Sequence, residues 1–204
     1  MQANEEIGAR RISVENFLKF DWQTGLRGEA GEEIGNAPFA RPRIASRQES
    51  GIHARQSDEI AQIRQHMCPT GGDRFKILMT HHPFIPPPGD RVHAIDLLGR
   101  AAEALPVLDE CGVDLLLAGH LHHGYSGDVR TFYPATSRSI VVVQAGTAIS
   151  RRIRTEPNGY NILRLDRTTI EVEVRLWNGT AFVKDKRAIY RQRDKEWTLQ
   201  HAER

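Results

Sequence analysis

Apolar and polar positions fall into three regimes along the chain. Residues 24–57 carry many Gly and Arg, few large apolar side chains, and neither a 3.6-residue nor a 2-residue period, which predicts loop or poorly ordered chain. Before that stretch, "SVENFLKFDW" (13–22) predicts a short helix with Ser13 as its N-cap. From Ser57 the periods sharpen. "SDEIAQIRQHM" opens with a capping serine and two acids, and places Ile60, Ile63 and Met67 on one helical face. "FKILMT" (75–80) is a short apolar strand, and the prolines of "HHPFIPPPGD" force a loop after it. "DLLGRAAEALPVLDECG" (96–112) is a helix with Leu97, Leu98, Ala101, Leu105 and Leu108 inward. A kink or break is expected at Pro106, and Gly112 is its stop. "VDLLLAG" (113–119) is apolar throughout, the pattern of a strand buried on both faces.

The third regime is all strand. "SIVVVQAG" (139–146), "GYNILRLD" (159–166) and "TIEVEVRLW" (169–177) follow in turn. In the last, Ile170, Val172, Val174 and Leu176 alternate with Glu171, Glu173 and Arg175. A hairpin is expected across Arg167–Thr168, and Asn178–Gly179 marks another turn. The predicted class is α/β in the middle with an antiparallel end. The division is 1–56 unassigned and loop-rich, 57–184 the partial domain, and 185–204 a charged, peripheral tail.

Composition narrows this little. With 204 residues, 39% hydrophobic and 26% charged, the chain has the make-up of an ordinary globular domain. A net charge of +2 and a small basic cluster at Arg151, Arg152 and Arg154 do not argue for nucleic acid. No apolar run reaches the roughly 18 residues a membrane helix needs, and no signal peptide is visible in the first thirty residues. Cys68 and Cys111 are the only cysteines. They read as plain packing residues of a reducing, cytoplasmic setting with no disulfide framework.

The candidate chemistry lies at two strand ends. His81 and His82 follow "FKILMT", and His120, His122 and His123 follow "VDLLLAG"; together they are five of nine histidines. Ligand sites in α/β sheets gather beyond the carboxyl ends of strands. Gly119 is expected to let the backbone turn. His120 and His122, two residues apart, are expected to face one side while Leu121 faces away. Neutral imidazoles suit Zn, Mn, Fe or Ni. His81, His120 and His122 are therefore the expected ligands, and His82 and His123 supporting or surface residues. A strand-end histidine bonded to a neighbouring carbonyl is the plain alternative. His53, His66, His93 and His201 have no such context and read as surface residues. Tyr125, Ser126 and Arg151 fall close by in sequence, with no role assigned by spacing.

"THHPF", followed about forty residues later by "GHLHHGYSG", resembles the last two motifs of the calcineurin-like metallophosphoesterases. The bacterial branch grouped with class III cyclic nucleotide phosphodiesterases is the most similar, and "VVVQAGTAISRRIRTEPNGYNILRLD" reads like it too. The resemblance covers roughly residues 75–177, about half of the chain. It implies the C-terminal part of a four-layer αββα sandwich with the N-terminal half missing, and a phosphoester hydrolase holding two metals (Mn, Fe or Zn). His81 and His120 would bind one metal, His122 the other, and Gly119 would supply the tight turn. A phosphate-ester small molecule, such as a cyclic nucleotide, would be the substrate.

The family's earlier Asp-x-His, Gly-Asp and Asn-His motifs have no counterpart here. Two dications about 3.5–4 Å apart repel by roughly 17–19 kcal/mol at an effective dielectric of about 20, and neutral imidazoles offset none of it. At most one metal is therefore expected, with impaired activity. An apolar sheet edge is expected to need a missing N-terminal half or a partner chain. A non-catalytic single-metal or interaction module, and a fragment without function, remain the alternatives.

Overall fold

In a computed structural model, the structure describes residues 17–19, 52–69, 74–88, 97–149 and 156–203. The fold is mixed α/β with two sheets. The first sheet contains β1 (Phe17–Lys19), β2 (Ile77–Met79), β3 (Leu115–Ala118), β4 (Tyr125–Asp128) and β5 (Val141–Gln144), in spatial order β1-β2-β3-β5-β4. Neighbours along β1-β2-β3-β5 are parallel, and β4 returns antiparallel along β5. The second sheet is an antiparallel meander of β6 (Gly159–Asp166), β7 (Thr169–Trp177), β8 (Phe182–Arg193) and β9 (Glu196–Glu203).

The continuous apolar runs of β2, β3 and β5 are explained by two cores. Leu78, Leu116 and Val142 point to one side, where α1 (Ile52–Met67) and α2 (Ala101–Glu110) pack with Ile63, Met67, Leu105 and Leu108. Ile77, Leu115, Val141 and Val143 point to the other side, against Ile170, Val172, Tyr190 and Trp197 of the second sheet. Successive strand residues face opposite ways, so a strand between two layers must be apolar at every position. The result is helix, sheet, sheet, a partial α/β sandwich among the described residues. No helix among them is long and apolar enough to cross a membrane.

Several expectations change. Residues 17–19, expected in a helix, form β1, which hydrogen-bonds along β2 and covers the edge expected to be bare. Helix α1 begins at Ile52, not Ser57. Helix α2 starts at Ala101 and runs through Pro106 as one element, because the buried face of Ala101, Ala104, Leu105 and Leu108 continues on both sides of the proline. Residues 20–51, most of the stretch expected as loop, lie outside the described residues, as do Arg151, Arg152 and Arg154.

The expected peripheral tail is a structural strand pair. Its charges alternate with Ala188, Tyr190 and Trp197, which enter the core between the sheets, and Trp197 is 2% exposed. Its Nε1–H donates to Asp114 Oδ1 at 3.4 Å, and the Tyr190 hydroxyl donates to Ser126 Oγ at 2.8 Å. Cys68 and Cys111, expected as separate thiols, form a disulfide with Cα atoms 4.1 Å apart. It joins the end of α1 to the end of α2, which the shared core brings alongside each other. The two cysteines are 43 positions apart. Closing a loop of that length restricts the unfolded chain by about 4 kcal/mol.

Candidate metal site

The loops after β2 and β3 are sewn together by backbone bonds. Thr80 N–H donates to Leu117 O at 2.9 Å and Gly119 N–H to His81 O at 3.2 Å, while the Thr80 hydroxyl holds His82 O at 2.7 Å. Parallel pairing sets this up: Met79 lies beside Leu117, so both histidine runs leave the sheet at one level.

The turn after β3 does not use glycine as expected. The left-handed residues are His120 (φ 74°) and His122 (φ 58°), and Gly119 is not among the positive-φ positions. A Cβ on Gly119 would meet nothing within 4 Å among the described residues. Gly119 contributes its backbone instead: its carbonyl accepts from Leu121 N–H at 2.9 Å and from the Gln144 side chain. Two non-glycine residues in this region cost on the order of 1–3 kcal/mol each, and such strain clusters where side-chain direction matters.

That turn decides which rings meet. His81, His82 and His120, all half-buried, each offer a nitrogen, and the three nitrogens lie within 4.8 Å of one another. His120 Nδ1 and His81 Nε2 are 3.0 Å apart, so one carries the proton and the other accepts it. The rings sit edge to face or tilted, with centroids 4.8 Å (His81–His120), 4.9 Å (His81–His82) and 4.2 Å (His82–His120) apart. His122 stands outside this group, and its Nδ1 is buried with no hydrogen-bond partner among the described residues. The reversed backbone at both His120 and His122 defeats the simple alternation that would aim them the same way.

His123 Nδ1 lies 3.4 Å from Glu156 Oε2, the oxygen that also accepts from Gly124 N–H at 2.9 Å. Lys186 Nζ is 3.3 Å from the other oxygen. Glu156 was not singled out from sequence; it is the one acid in "RRIRTEPNGY", but nothing in its spacing ties it to a histidine. Tyr125 donates its hydroxyl to Ile85 O, and its burial raises that hydroxyl above its usual pKa, so it is a structural anchor. His66 and His201 are exposed as expected; His93 lies outside the described residues, as does Arg151.

The donor set fits one transition-metal ion. Two nitrogens about 2.05 Å from a tetrahedral zinc sit about 3.3 Å apart, so the His81–His120 pair needs to open by only a few tenths of an ångström. Nitrogens on one ion can be no more than about 4.1 Å apart, so the widest pair closes by a side-chain rotation. Among the described residues no carboxylate belongs to the group, and without one a second dication beside the first would meet unscreened repulsion.

No protein-family model matches the chain, and no curated protein matches it. Among solved structures it is similar to Vps29 from Entamoeba histolytica. The wild-type protein complexed with zinc matches at 20% identity over 56% of this chain and 55% of that one, with a TM-score of 0.34. A single mutant of Vps29 matches at 12% identity, covering 84% and 97%, with a TM-score of 0.32. A double mutant matches at 10%, covering 63% and 86%, with a TM-score of 0.31. The match spans about half the length of the first of these structures. All three scores are low, and the functional reading rests on the chain's own residues.

Proposed function

We propose that this chain binds one divalent transition-metal ion through His81, His82 and His120, and that its chemistry is metal-assisted phosphoester hydrolysis, weak in this chain. The observation that carries the reading is the convergence of three imidazole nitrogens, from two strand ends, within 4.8 Å. A bound ion would supply Lewis acidity and lower the pKa of a coordinated water. The chain's own contribution is to hold three neutral nitrogens on a rigid strand-end platform. Three protein ligands leave a coordination position for water or a phosphoryl oxygen. The "THHPF" and "GHLHHG" motifs support a phosphate ester as substrate, a cyclic nucleotide being the narrower choice.

The second reading is a single-metal site without catalysis, favoured by the absence, among the described residues, of any carboxylate from the group and by His122 standing outside it. The two are separated by loading the full chain with Mn or Zn and assaying a bis-aryl phosphate and a cyclic nucleotide. Metal-dependent turnover that His120→Ala abolishes supports the hydrolase. One tightly bound equivalent without turnover leaves the binding module and removes the hydrolase.

A further inference from the structure

A second feature lies at the other end of the parallel sheet, where the strands begin, and it is independent of the histidines. An open cavity of about 540 Å³ is walled by all three layers: the lead-ins to β2 and β3, the disulfide between the helices, and the β6–β7 and β8–β9 turns. Among the described residues five cationic side chains line it: Arg74, Lys76, Arg138, Arg167 and Lys195. Among the described residues three carboxylates line it too, but each is already engaged. Glu110 pairs with Arg64 at 2.6 Å, outside the lining, and Asp109 accepts the Ser137 hydroxyl. Asp114 accepts from Lys76 N–H at 3.0 Å, Gln192 Nε2 at 3.1 Å and Trp197 Nε1.

Four of the five cations are less satisfied; Arg74 has partners of its own. Arg167 and Lys195 make no ion pair among the described residues. Lys76, 4% exposed, donates to Cys111 O at 2.6 Å, one of the three bonds an ammonium can donate. Arg138 has a distant pair with Asp114 at 3.6 Å, and its buried Nε has no acceptor among the described residues. Burial also lowers the Lys76 pKa, the shift an incoming anion would reverse. Phe75, Pro69 and the disulfide give the cavity an apolar side.

We infer that this cavity binds a phosphate-bearing small molecule of about mononucleotide size. Guanidinium forks match phosphate oxygens in pairs, lysines add point charge, and the apolar side accommodates an organic body. The volume exceeds what a bare phosphate fills.

The test titrates the metal-stripped full chain, in a His120→Ala background that disables the histidine site, with adenosine monophosphate, pyrophosphate and citrate. The expected result is saturable one-to-one binding of the nucleotide, weaker binding of pyrophosphate, and weakest of citrate, all falling as salt rises. Arg167→Gln with Lys195→Gly weakens the nucleotide by about tenfold, since each lost charged contact is worth roughly threefold. Lys195 has a left-handed backbone (φ 66°) that glycine adopts without strain, so this change does not threaten the fold; an unaltered thermal midpoint confirms that. Pyrophosphate binding as tightly as the nucleotide would overturn the organic ligand, and citrate binding as tightly would overturn the phosphate. Absence of saturable binding, or an unchanged affinity in the double variant, would overturn the site itself.

Discussion

Strands β2, β3 and β5 are three or four residues long and shielded on both faces, whereas β6 to β9 run for eight to twelve residues and keep one face for charge. On that outer face Glu171 accepts from Arg164 at 2.9 Å and Arg187 at 3.0 Å, and Glu173 accepts from Arg175 at 2.7 Å. The first sheet holds its short strands by layers above and below and leaves polar chemistry to its ends. The second holds itself by long ladders and contributes a wall. Both candidate sites accordingly lie at the ends of the first sheet: imidazoles where its strands finish, cations where they begin.

This division of labour predicts unequal responses. The largest is expected from Cys68→Ser with Cys111→Ser, which lowers stability in urea by about 4 kcal/mol. Hydrogen exchange should quicken in α1 and α2 while β6–β9 keep their protection; equal loss in both sheets would break the contrast. Trp197→Ala comes next. It empties a fully buried ring site between the sheets and removes a donor from Asp114, for a loss of about 4 kcal/mol or somewhat less as the gap relaxes. Urea unfolding monitored at both sheets should show one shared shift; no shift at all would return β9 to the periphery.

The smallest effect belongs to an exposed edge. Lys184 and, after it, His201 hold the Glu203 carboxyl down at about 2, against an ordinary 4.5. A depressed carboxylate favours the fold above its unfolded value and loses that contribution as pH falls through the folded one. Glu203→Gln should therefore flatten the loss of stability between about pH 4.5 and 2, slightly, because the pair is solvated. An unchanged acid profile would remove Glu203 from the account.

What the sequence revealed follows the same line. The unbroken apolar runs of "FKILMT" and "VDLLLAG" announced doubly covered strands, and the alternation in "TIEVEVRLW" announced a one-sided one. Strands β8 and β9 escaped because their inward residues, Ala188, Tyr190 and Trp197, are sparse among charges. Two cysteines 43 positions apart gave no framework from which to read a pairing. That the two histidine runs adjoin was legible from their places at strand ends. That His82 rather than His122 joins His81 and His120 was not, because it turns on left-handed backbone at two non-glycine residues.

The most direct test of the metal site is zinc binding by the full, oxidised chain, whose disulfide leaves no thiol among the described residues to compete. One equivalent should bind, weakened at least about tenfold by His81→Ala and by His120→Ala and little by His122→Ala. No binding, or an affinity indifferent to His81 and His120, would contradict the account.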